Sequence, residues 1–111
     1  MKEFIDYLSK QIEAGGNDAA RLEKEGRRDE ADFAKVRTNI YEVCRTVTNA
    51  LAERPGAGPR AVKTRFESFR ASWSAALEKA RTHGDARNAV LEETKLQALE
   101  DVLAHFPEAA L

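Results

Sequence analysis

The chain has 111 residues, 33% of them charged and 42% hydrophobic, with a formal net charge of −1. That balance is too apolar for disorder and too evenly charged for a membrane span, and it gives no global electrostatic case for nucleic acid. No apolar run nears the ~20 residues that cross a bilayer, Met1–Asp6 lacks the apolar core of a signal peptide, and the lone Cys44 excludes an internal disulfide, so the cytoplasm is the expected compartment.

The first helix is predicted over residues 2–25. Ile5, Leu8, Ile12, Gly15, Ala19 and Leu22 recur at steps of three and four, which marks one helix face. Gly15-Gly16-Asn17-Asp18 is a weak point, because an interior glycine costs about 1 kcal/mol against alanine. The apolar phase nevertheless runs on from Ile12 through Gly15 to Ala19, which a loop has no reason to preserve. One helix is therefore expected, with Gly15 a point of close approach by a neighbour. The alternative is two shorter helices, with Asn17 or Asp18 as the N-cap between them.

Gly26-Arg27-Arg28-Asp29 reads as the first turn, with Gly26 at a C-cap and Asp29 at the next N-cap. The second helix is predicted over residues 29–53, on the seam Phe33, Val36, Ile40, Val43, Val47, Ala50. Its β-branched residues do not indicate a strand, because alternation with period two is absent. Cys44 lies beside Val43 and one turn after Ile40, and reads as a buried structural thiol. Arg54-Pro55-Gly56-Ala57-Gly58-Pro59 is the clearest loop: Pro55 ends one helix and Pro59 suits the first turn of the next.

The third helix is predicted over residues 59–83. Its seam, Val62, Phe66, Phe69, Trp73, Ala76, Ala80, holds two phenylalanines and the only tryptophan. Aromatics carry the most buried area per residue, so this helix is expected to be the wall on which the others pack. Gly84-Asp85 repeats the punctuation of the first turn. The fourth helix, residues 85–106, has the seam Ala89, Leu96, Leu99, Leu103, Phe106, interrupted by Glu92, and Pro107 stops it.

Four helices of similar length joined by short turns give an all-α fold: one domain, residues 1–111, built as an antiparallel up-down-up-down four-helix bundle. The chain ends and the Pro-Gly loop then share one end, and the two Gly-Asp turns share the other.

No catalytic residue is assigned. Gly-x-Ser-x-Gly is absent, Cys44 has no sequence-local His or Asp partner, and Glu92-Glu93 are adjacent and diverge on a helix. No metal or cofactor is expected either. Di-iron bundles place Glu three before His, whereas Ala80 and Val102 precede His83 and His105 at that spacing. Asp101 and His105 share a face but supply only two ligands.

One stretch breaks a local rule. A helix start favours acidic residues, yet the third helix begins with Arg54, Arg60, Lys63 and Arg65 around two glycines. Residues 54–87 hold 8 basic and 3 acidic side chains, against 1 and 5 in residues 88–111. These four cations are the candidate anion-binding set. The competing explanation is internal: in the bundle Glu100, Asp101, Glu108 and the chain carboxylate lie at the same end and neutralise them. Phe4, Tyr7, Tyr41 and Leu91 fall off the main seams and are the candidate interface residues.

The expected function is a non-catalytic interaction or structural module that self-associates or binds another protein. The alternative is an anion or nucleic-acid binding module using the basic loop, with nucleic acid the weaker choice of partner and no membrane involved.

Overall fold

A computed structural model describes residues 1–108 and 111, and the chain forms an antiparallel up-down-up-down four-helix bundle. The helices are α1 (Lys2–Lys24), α2 (Arg28–Leu51), α3 (Gly58–Thr82) and α4 (Ala86–His105). Among the described residues no helix is long and apolar enough to cross a membrane.

α1 runs unbroken through Gly15–Gly16. The reason lies across the helix pair. A Cβ on Gly15 would stand 2.0 Å from Thr38 Oγ1, and Thr38 is held by donating to the Ala34 carbonyl at 2.8 Å. Gly15 is therefore the price of bringing α1 and α2 close, whereas Gly16 faces open space.

The two short turns use one device. Gly26 and Gly84 take positive φ, and the following amides reach back to close the helix, Arg27 N to Leu22 O and Asp85 N to Ala80 O, each at 2.9 Å. Their exits differ. Asp85 caps α4 by accepting from Asn88 N at 3.2 Å. Asp29, expected as the cap of the second helix, instead lies inside the first turn of α2, whose N-cap is Arg27 with no side-chain cap bond. The turn is one residue shorter than expected, so α2 already starts at Arg28.

α2 is the central helix, packing on both α1 and α4, and α3 leans mainly on α4 with lighter contact to α2. The main core sits at the loop end. Phe4, Leu8, Ile40, Cys44, Val62, Phe66, Leu99, Val102 and Phe106 are buried there together. Phe4, Phe66 and Phe106 form its centre, with centroids 5.4–6.3 Å apart and the Phe106 ring set edge-on to both others. The turn end is thinner: Ala19, Leu22, Ala31 and Ala34 form a separate small cluster between α1 and α2.

Several expectations change here. α2, not the aromatic third helix, is the one the others pack on, and of its predicted seam only Ile40 is buried, beside Ala31, Ala34, Thr38, Tyr41, Cys44 and Thr48. Phe66 is fully buried, but Phe69 and Trp73 are only partly covered and stack on each other at 5.2 Å. α3 packs mainly on α4 and only lightly on α2, so these two aromatics are covered on one side and open on the other. Phe4, placed off the seam, is 4% exposed, while Ile5, placed on it, is half-buried. A bundle helix faces two neighbours, so its buried stripe is wider than a single-partner seam, and at this end it is centred on Phe4.

Candidate functional site

The basic loop resolves into two groups. Lys63 turns toward α4, where its Nζ lies 2.9 Å from Glu108 Oε1. Arg70, a further turn along α3, pairs with Glu100 at 2.7 Å. The internal neutralisation thus operates along the α3–α4 seam, because those side chains face each other across antiparallel helices. It stops there. Arg54, Arg60 and Arg65 make no ion pair among the described residues.

Arg60 and Arg65 border a groove of about 580 Å³ at the α2–α3 corner, lined also by Leu51, Gly56, Ala57, Ala61, Thr64 and Ser68. No acidic residue lines it. A smaller recess on the other side of the loop takes Arg54 and Arg60. Arg60 borders both recesses, Arg65 only the groove, and Arg54 only the smaller recess, which Glu53 also lines; Lys63 lies apart from them, toward α4. The start of α3 adds to the local positive potential: its N-cap, Ala57, supplies no side-chain acceptor, and its first turn holds Pro59 and no acidic residue.

The interface candidates are placed differently from expectation. Phe4 and Tyr41, 4% and 6% exposed, belong to the core, and Tyr7 and Leu91 are half-buried. Their apparent distance from the seams came from assigning each helix one partner instead of two.

Two of them take part in a cluster that the sequence reading missed. Tyr7 and Tyr41 both donate to Asp101 Oδ2, the latter at 2.7 Å. His105 stacks on the Tyr7 ring at 4.0 Å, and its Nδ1 lies 2.9 Å from the Asp101 carbonyl and 3.8 Å from Oδ1. Burial, reinforced by the bond to Asp101, raises the Tyr7 hydroxyl well above the usual tyrosine range and pushes Tyr41 up to about 12. Burial works against the Asp101 charge, but the two phenolic protons and His105 outweigh it and hold the carboxyl below its ordinary value. The tyrosines are held as donors and the carboxylate as an acceptor with one oxygen already saturated. Such an arrangement fastens α1, α2 and α4 together. It does not offer a base or nucleophile poised near neutral pH. The available signal was the antiparallel topology, which sets the start of α1 level with the end of α4.

Two other reactive types have structural settings. Cys44 is fully buried and desolvation pushes its thiol up to about 12, which removes the thiolate needed for nucleophilic chemistry. Glu92 pairs with Lys95 at 3.1 Å, and Lys95 Nζ stands 5.8 Å from the Trp73 ring centre. Glu92 Oε2 has no hydrogen-bond partner. Among the described residues no group of three or more His, Cys, Asp or Glu side chains is arranged to hold a metal. No protein-family model matches the chain, and no curated protein or solved structure matches it either.

Proposed function

We propose that this chain is a non-catalytic interaction module of the cytoplasm whose working surface is the α2–α3 corner and whose partner is anionic. One observation carries the reading. Arg60 and Arg65 border an apolar-floored groove that contains no acidic residue, in a molecule whose neighbouring cations, Lys63 and Arg70, are matched to carboxylates of α4. Unmatched guanidinium groups beside apolar surface suit recognition, because Arg is weakly hydrated and binds carboxylate or phosphate through a planar fork. The positive start of α3 acts in the same direction.

The test is a titration of the purified protein with an acidic protein or peptide ligand at several salt concentrations, using wild type and R60E/R65E. Affinity is expected to fall as salt rises and to be lost on charge reversal. Binding indifferent to both changes refutes the proposal.

Self-association is the second reading, supported by the half-buried Leu91 and its neighbour Val90, which is 41% exposed. Sedimentation over a wide concentration range tests it: a dimer that Val90→Glu dissociates supports it, and a monomer throughout refutes it.

A further inference from the structure

Resting on the anionic-partner reading, we infer that the groove receives an acidic amphipathic helix of a partner protein, laid along α3. The positions on α3 set the geometry. At 100° per residue, Arg60 and Arg65 stand about 140° apart around the helix axis, and Thr64, Ser68 and Ala61 fall between them. The two side chains therefore leave α3 on either side of a strip of small residues. A helix lying in the strip presents its apolar side to Leu51, Ala57 and Ala61 and carries carboxylates on both flanks.

The surroundings fit that occupant. Ala61, Thr64, Arg65 and Ser68 follow the spacing of one helix face, so the groove runs along the axis of α3. It is open to solvent and not enclosed, as a groove for a helix must be. Farther along the same side, Ala71, Ser72 and Ala75 are exposed and small, which extends the strip as far as Glu78 and Lys79. α2 packs only lightly on α3, which leaves the space that a further helix would fill. Nucleic acid fits less well: no aromatic side chain lines the groove for base stacking, and an apolar floor gains nothing from a phosphodiester chain.

The experiment uses two fluorescent peptides of about 18 residues, long enough to hold a helix. Both contain the same Glu, Leu and Ala residues, one ordered with an apolar face and acidic flanks, the other scrambled. The protein is tested as wild type, as R60E/R65E, and as Ser68→Phe, an exposed position where a larger side chain fills the groove and leaves the charges in place. Circular dichroism checks that each variant is folded. The patterned peptide is expected to bind at least about tenfold tighter than the scrambled one, and both variants to lose at least about tenfold. Equal binding of the two peptides with Ser68→Phe inert overturns the helix and leaves the anionic partner standing. Duplex DNA binding through Arg60 and Arg65 with neither peptide bound also overturns it. Peptide binding unchanged in R60E/R65E overturns both readings.

Discussion

Tyr7 and Tyr41 give their phenolic protons to the same oxygen of Asp101, so one carboxylate near the surface joins three helices. The titration of this carboxyl and of the two phenols makes stability depend on pH. The Asp101 carboxyl is lowered in the folded chain, so its contribution is present above the ordinary carboxyl range and disappears as pH falls through the folded value. Tyr41 is raised to about 12 from an ordinary value near 10, so its contribution is complete below pH 10 and disappears as pH rises toward 12. Thermal melts across pH are expected to show a plateau with a loss on each side. Asp101→Asn is expected to reduce the loss on the acid side, and Tyr41→Phe to reduce but not abolish the loss on the alkaline side, where Tyr7 still titrates. An acid side unchanged in Asp101→Asn contradicts this account. At neutral pH, Asp101→Asn is expected to cost about 1–2 kcal/mol, the lower part of the range for hydrogen bonds to a charged group because the carboxylate is partly exposed.

Adjacent glycines in α1 are expected to respond with opposite sign. Gly16→Ala meets nothing within 4 Å and gains helix propensity, so it is expected to stabilise by about 0.5–1 kcal/mol. Gly15→Ala gains the same propensity but drives a methyl into Thr38, and crowding of this kind costs about 1–3 kcal/mol. The net effect is destabilising. Placing Gly15→Ala in a Thr38→Ala background is expected to recover most of the loss, since the nearest atom is then gone. Urea midpoints of the four proteins decide the matter, and a stabilised Gly15→Ala would contradict the close approach.

Phe66, not Trp73, is the aromatic on which the core depends. Phe66→Ala is expected to cost about 3–5 kcal/mol, a large part of the stability of a domain this size. Trp73 is partly exposed and contacts Phe69 on one side and the Lys95 ammonium near its ring, so Trp73→Ala is expected to cost less than half as much. Denaturant melts of the two variants compare these directly.

Lys63 tests whether position in the sequence or pairing in space decides which cation recognises a partner. Its ammonium is held by both oxygens of Glu108, at 2.9 and 3.2 Å. Lys63→Ala is therefore expected to leave affinity for the patterned acidic peptide within about twofold, since a half-exposed ion pair contributes little and its loss does not reach the groove. A loss equal to that of R60E/R65E would place Lys63 back among the binding residues.

The four helices were legible because each carries a three-and-four spacing, broken only by Glu92 in the fourth and strong enough to bridge Gly15–Gly16. The fold class followed from turn lengths alone. What the spacing does not encode is how many neighbours a helix face meets. That one unknown exchanges Phe4 with Ile5 as the buried residue and leaves Trp73 half-open. The three arginines with no ion pair among the described residues were legible because the stretch around the start of α3 contradicts the helix dipole. The removal of Lys63 was less so, because its partner lies 45 residues away. The Asp101 cluster was hidden for the same reason: it needs three helices level with one another, and no local pattern specifies level.

The small cluster of Ala19, Leu22, Ala31 and Ala34 has a consequence for motion. Alanines bury little area, so the cohesion of the molecule is graded from the phenylalanine end to the turn end. Amide protons in the second half of α1 and the first half of α2 therefore have a shorter route to solvent than global unfolding. Hydrogen exchange is expected to be faster there than at the loop end. The groove beside Arg60 and Arg65 is built on the part that does not open, so the surface proposed for recognition keeps its shape while the far end breathes.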